Sequence, residues 1–206
     1  MSGILDAPSF DHARGWVAIP QLLDAATVQS LIDACEDRLG DLGADLRVGD
    51  KPASGTRRLA EAADRLGEVA AVVAHSRLQA MVEAVVGPEP GLSDVVYRCP
   101  QPGFGGQRLH ADDLPKLDDG PDRCATAIIT LCDFTADNGA TRVIDGSHRR
   151  PDLQRRSGSL DDHPDAHPLT GPAGTAFVFT GHLLHAGWQN QSDAPRPALQ
   201  ITWRRA

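Results

Sequence analysis

Pro88-Glu89-Pro90-Gly91 divides the chain into two textures. Two prolines and a closing glycine mark a turn. Before it, apolar residues recur at helical spacing. After it, they fall into short runs typical of strands.

Working backward, Leu78, Met81, Val82, Val85 and Val86 share one helical face up to Gly87. Residues 66–74 carry a second helical pattern, and the break falls at His75-Ser76, where His75 reads as a cap or surface residue. Further upstream Val28, Leu31, Ile32, Cys35 and Leu39 repeat the spacing. Asp24 is placed as the N-cap and Gly40 as the stop. Residues 40–56, rich in Gly and Asp, read as loop. Trp16-Val17-Ala18-Ile19-Pro20 is short, apolar and stopped by proline, which predicts an edge strand. Residues 1–15 read as a polar lead-in.

Working forward, the spacing predicts strands at 93–99, 107–112, 123–133, 141–144, 175–180, 183–187 and 198–203. Clusters of Gly, Pro, Asn and Asp separate them, the pattern of an antiparallel sandwich or barrel. Helices first and strands after imply helices packed on one face of a double-sheet roll. The expectation is one domain over residues 1–206, largely helical over 1–90 and a β-roll over 91–206. A roll of this kind encloses a cavity, where ligand sites form. Residues 149–167 are basic and then rich in Ser, Gly and Asp, and read as a mobile excursion above that cavity.

Composition narrows the function classes. Hydrophobic residues make up 41% of the 206, enough for a sizeable core, and the net charge of −8 disfavours a phosphate backbone as partner. Aromatic residues, at 4%, are too few for a stacking platform for single-stranded nucleic acid. No apolar run is long enough to span a bilayer. The opening Met-Ser-Gly-Ile-Leu-Asp lacks the basic and apolar regions of a signal peptide, so a cytoplasmic protein is expected. Cys35, Cys99, Cys124 and Cys132 show no C-x-x-C spacing and read as reduced thiols. The sequence leaves the oligomeric state open.

The candidate chemistry starts at Gln107-Arg108-Leu109-His110-Ala111-Asp112-Asp113. In an extended segment, residues two apart share a face, which sets His110 beside Asp112. One more imidazole would complete a two-histidine, one-carboxylate triad for a divalent metal. The short motif does not decide the matter alone, since His163-Pro164-Asp165 repeats it in a polar, proline-broken segment. Two histidines compete for the third place in Thr180-Gly181-His182-Leu183-Leu184-His185-Ala186-Gly187. A hairpin after His185 would return Arg196 alongside it. An arginine fork binds a carboxylate bidentately, so metal and arginine together could hold a dicarboxylic co-substrate at both ends. Gln107 and Thr130 are further candidates to face the cavity and touch co-substrate or substrate, with core or strand-edge roles as the alternative reading. Asn138-Gly139 reads as a hairpin turn, and His148 and Arg142 as residues that order the loop after it.

With these residues in view, the chain resembles the phytanoyl-CoA dioxygenase family of Fe(II)- and 2-oxoglutarate-dependent oxygenases. Gly105-Gly106-Gln107-Arg108-Leu109-His110-Ala111-Asp112-Asp113 is similar to its proximal-ligand block. Asn138-Gly139-Ala140-Thr141-Arg142-Val143-Ile144-Asp145-Gly146-Ser147-His148 is similar to its central signature. Residues 182–187, with Asn190, Ser192, Asp193, Pro195 and Arg196, match the distal block. The resemblance implies a double-stranded β-helix (a cupin-like jelly roll) with Fe(II) held by His110, Asp112 and His185, and 2-oxoglutarate gripped by Arg196. It implies consumption of O2, release of succinate and carbon dioxide, and oxidation, usually hydroxylation, of a C–H bond in a small-molecule substrate. Asp145 stands where the family commonly has proline. Gly187 stands where it often has Ser or Thr. Asp112 keeps the carboxylate that halogenating relatives lack, so oxygenation is expected. Two other functions fit parts of the pattern: a Zn(II) hydrolase using the same three ligands, and a catalytically silent jelly-roll binding module.

Overall fold

The structure is a computed structural model describing residues 8–41, 47–48, 51–52, 55–116, 120–159 and 162–205. The N-terminal part opens with strand β1 (Trp16–Ile19) and helix α1 (Ala25–Asp41). Two-residue strands β2 (Arg47–Val48) and β3 (Lys51–Pro52) pair with each other, and β4 (Thr56–Leu59) follows. Helices α2 (Ala62–Arg65), α3 (Gly67–Val73) and α4 (Ser76–Val86) complete this part. Asp24 caps α1 as its sequence suggests, with Oδ1 accepting from the Thr27 amide at 2.8 Å. His75 caps α4, its Nδ1 accepting from the Arg77 amide at 3.2 Å. Strands β2 and β3, and the start of β4 at Thr56, correct the reading of 40–56 as loop.

The C-terminal part carries β5 (Gly91–Pro100), β6 (Cys124–Thr130), β7 (Thr141–Ile144), α5 (Pro151–Gln154), β8 (Ala166–Pro168), β9 (Ala176–Thr180), β10 (His185–Gly187) and β11 (Ala198–Arg204). They form a six-stranded antiparallel sheet in the order β1-β9-β6-β11-β5-β4 and a three-stranded sheet in the order β10-β7-β8. From β5 onward the chain passes repeatedly from one sheet to the other, the winding of a double-stranded β-helix, or jelly roll.

Alternation along the strands sets three layers. Leu199, Ile201 and Trp203 of β11 turn outward and pack with Leu31, Cys35 and Leu39 of α1 and with Leu78 and Val82 of α4. Ala198 turns inward, joining Ile128, Phe177 and Phe179 of the large sheet and Val143 of the small one in a second core. Ile144, Leu153 and Ala186 cover the far side of the small sheet. Each fully buried leucine or isoleucine in these cores contributes about 1.5–3 kcal/mol. The inward face toward the middle of the large sheet carries polar residues instead, and that is where the cavity opens. Among the described residues no single helix is long and apolar enough to cross a membrane. All four cysteines are unpaired.

Three connections differ from the sequence reading. Residues 107–112 make no strand, only an isolated bridge between His110 and His185. Asn138-Gly139 does form a turn, with Gly139 at φ 79° and its Cα against the Trp188 carbonyl, where a Cβ would come within 2.5 Å. The turn joins the two sheets and is not a hairpin. The segment between β10 and β11 likewise changes sheets. The excursion at 149–167 holds short helical turns, with Leu153 buried and Gln154 Nε2 donating to the His182 carbonyl.

Candidate metal centre

The His110–His185 bridge is the foundation of the site. The His110 amide donates to the His185 carbonyl at 3.0 Å, and the His185 amide donates back at 2.8 Å. Side chains on such a bridged pair stand next to each other, and the two imidazole centroids are 4.5 Å apart. Asp112, two residues on, brings its Oδ1 to 3.9 Å from His110 Nε2 and 3.5 Å from His185 Nε2. One donor atom from each of the three residues lies within 4.8 Å of the others, a spacing that can hold a metal ion.

The hydrogen bonds behind these groups aim them. His110 Nδ1 is 2.8 Å from the Arg108 carbonyl, and His185 Nδ1 is 3.0 Å from the Leu183 carbonyl. A carbonyl only accepts, so each Nδ1 carries the proton and each Nε2 presents its lone pair toward Asp112. Burial is the main cause holding the His185 pKa below the ordinary imidazole value; Asp112 works against it and His110 with it. The ring is therefore neutral at neutral pH, as a ligand must be. Thr126 Oγ1 of β6 donates to Asp112 Oδ2 at 2.6 Å, which leaves Oδ1 for the centre. Thr126 has no signature in the sequence: alternation along β6 gives its face but not its partner.

A narrow cavity runs from His110 and His185 to Arg196, lined also by Arg98, Gln107, Thr141 and Gly187. Arg196 is 6% exposed, its buried Nε has no hydrogen-bond partner, and its guanidinium lies 4.6 Å from the Phe134 ring centroid. Burial lowers its pKa to about 10, so it is a cation at neutral pH. Gln107 is exchanged with Gly187: its amide donates to the Gly187 carbonyl at 2.9 Å, and its Oε1 accepts from the Gly187 amide at 3.1 Å.

The structure sorts the remaining candidates. Thr130 is not brought into this cavity. Its hydroxyl reaches the carbonyls of Pro172 and Thr175 at 2.9 and 3.2 Å and accepts from the Thr175 amide, so it holds the turn before β9. Of the two competing histidines, His182 is fully buried with Nδ1 at 2.8 Å from the Leu114 carbonyl, away from Asp112. His163 accepts from the Asp165 amide, and His167 pairs with Asp145 at 2.9 Å. Among the described residues they join no metal-ligand group. His148 Nε2 donates to the His12 carbonyl at 3.1 Å and so ties down the N-terminal lead-in.

The family model for phytanoyl-CoA dioxygenase (PhyH) matches residues 12–198. The dioxygenase cdmA of Talaromyces verruculosus is 36% identical over 107 residues, 49% of this chain and 35% of that protein. Phytanoyl-CoA dioxygenase 1 of Oryza sativa subsp. japonica is 32% identical over 124 residues, 54% of this chain and 44% of that protein. The matched stretch thus spans less than half of either relative. Among solved structures, the non-haem α-ketoglutarate-dependent carbocyclase SnoK from nogalamycin biosynthesis superposes with a TM-score of 0.78 at 22% identity, covering 96% of this chain and 82% of that one. HygX from Streptomyces hygroscopicus, with nickel and 2-oxoglutarate bound, also gives 0.78, at 17% identity over 97% of this chain and 88% of that one. Both share the fold.

Proposed function

Because the chain belongs to the phytanoyl-CoA dioxygenase family, we propose that it is an Fe(II)- and 2-oxoglutarate-dependent dioxygenase oxidising a C–H bond of a small-molecule metabolite, with succinate and carbon dioxide as co-products. The observation that carries the reading is the convergence of His110 Nε2, Asp112 Oδ1 and His185 Nε2, each oriented from behind by a separate hydrogen bond. Two imidazoles and one carboxylate form the donor set that suits Fe(II) and leaves positions open. The bound metal supplies the activation of dioxygen, coupled to decarboxylation of the keto acid.

The protein's own residues have distinct tasks. His110, Asp112 and His185 would hold the ion. Arg196 fits the distal carboxylate of 2-oxoglutarate: it is cationic, buried and short of a hydrogen-bond acceptor at Nε. Gln107 fixes the Gly187 backbone and so sets the wall between metal and arginine. Phe179 backs the His185 ring with its centroid 4.7 Å away, and Ile128 gives that end of the cavity an apolar wall. SnoK, which is α-ketoglutarate-dependent, and HygX, solved with 2-oxoglutarate bound, support the same co-substrate here.

An anaerobic titration with Fe(II) and 2-oxoglutarate tests the proposal. The expected result is a weak visible charge-transfer band that is lost in His110→Ala and His185→Ala. Tight zinc retention with no such band would transfer the site to hydrolysis. No metal uptake at all would leave a binding module.

A further inference from the structure

At the edge of the large sheet, Arg58 of β4 stands directly opposite Arg98 of β5. Alternation assigns their faces. Arg57 turns outward and pairs with Glu36 of α1 at 2.5 Å, and Leu59 enters the core beneath the helices. Arg58 therefore turns inward, to the side where Arg98 lines the cavity with His110 and Arg196.

Like charges directly opposite on neighbouring strands repel, and among the described residues neither arginine makes an ion pair with an acid. Arg98 donates one hydrogen bond, to the neutral Gln200 Oε1 at 3.2 Å. The buried Nε of Arg58 has no partner. Burial first, and Arg58 second, push the Arg98 pKa down, while Asp112 pulls it up. Asp112 is already turned to the two imidazoles and Thr126. Arg98 lines the cavity wall, Arg58 stands opposite it on the neighbouring strand with its Nε lacking an acceptor, and two such like charges are stabilised when an anion joins them.

We propose that Arg58 and Arg98 form an anion subsite for the molecule to be oxidised, taking a carboxylate or phosphate group that it bears. The inference rests on the function proposed above, because it assigns the other anion. 2-Oxoglutarate has two carboxylates: one is used at the metal and the other at Arg196. Neither is left for Arg58. The substrate class is then an acidic metabolite, anchored at the β4 edge so that its remaining carbon skeleton extends toward His110.

The test uses inorganic phosphate as the probe. The chain is loaded with Mn(II) and saturating 2-oxoglutarate, and phosphate binding is followed by calorimetry. Wild type should bind saturably. Arg58→Gln should weaken phosphate at least tenfold, and Arg58→Lys should keep part of the binding, because it retains the charge without the fork. The affinity for 2-oxoglutarate should stay within twofold in both. Without phosphate, Arg58→Gln should melt no lower than wild type, since it relieves a repulsion. Absent binding in wild type, or equal binding in wild type and Arg58→Gln, overturns the subsite. A tenfold loss of 2-oxoglutarate affinity in Arg58→Gln overturns its assignment and gives the pair to the co-substrate. Arginine-dependent phosphate binding in a chain that takes up no metal would defeat the oxygenase reading while upholding the subsite.

Discussion

Thr126 Oγ1 donates to Asp112 Oδ2 at 2.6 Å, and this short bond decides which carboxylate oxygen faces His110 and His185. Partners behind a metal ligand commonly contribute about 10–100-fold in affinity. Thr126→Val keeps the volume and removes the donor. We expect Fe(II) or Mn(II) affinity to fall by roughly that factor, with Thr126→Ser restoring most of it. Metal titration of the three proteins at one pH reads the effect, and equal affinities would show the bond to be incidental.

Arg196 is buried with an unpartnered Nε and its guanidinium carbon 4.6 Å over the Phe134 ring. Arg196→Lys keeps a cation but loses the fork and the stacking. Hydrogen bonds to charged groups contribute about 1.5–3 kcal/mol each, so 2-oxoglutarate should bind on the order of 10–100-fold more weakly. Metal affinity without co-substrate should not change. Charge-transfer titrations at fixed Fe(II) separate the two constants.

Gly187 occupies a position with little spare room. A Cβ there would come within 2.9 Å of the Gly105 carbonyl and 3.1 Å of Gln107 Oε1. Gly187→Ser should therefore displace Gln107 and cost about 1–3 kcal/mol through overpacking. A lowered melting temperature in the metal-free protein is the readout. An unchanged one would mean that residues 105–107 yield without cost.

Asp145 accepts from Trp16 Nε1 at 2.7 Å, Arg14 Nε at 3.0 Å and His167 Nε2 at 2.9 Å. Burial acts to raise its pKa, but these three bonds together outweigh it and the net shift is below the ordinary 3.8. A carboxylate with a depressed folded-state pKa stabilises the fold above its unfolded value and loses that contribution as pH falls through the folded one. Asp145→Asn should thus be less stable than wild type at pH 6–7, and the gap should close below 3.8. The site is partly exposed, so solvent screening keeps the gap to about 1 kcal/mol or less. Urea midpoints at pH 7 and pH 3 give the comparison.

Much of this arrangement is legible in the chain because burial and periodicity coincide. Thr141–Ile144 and the edge strand ending at Ile19 were placed by short apolar runs, and α1 by its single apolar face and by Asp24. The strand Thr56–Leu59 escaped the same reading because its inward residue is Arg58, a charge that breaks the apolar alternation. Residues 107–112 read as a strand because His110 and Asp112 do share a side, yet only one bridge forms there. Thr130 illustrates the opposite error. Its inward-facing position suggested a ligand contact, but a buried hydroxyl takes the nearest carbonyls, and here those belong to the turn at 172–175. Arg196 and His185 were expected to meet across a hairpin. They share a cavity because the chain crosses between sheets, which spacing alone does not reveal.

The reciprocal backbone bonds of His110 and His185 join positions 75 residues apart in sequence. Their amide protons are held by the same closure that aligns the side chains, so their exchange with deuterium reports the assembly of the centre with no ion, co-substrate or turnover present. Slow exchange at both amides in chelator-treated protein would identify a preformed socket that releases and takes up its ion while the chain stays folded.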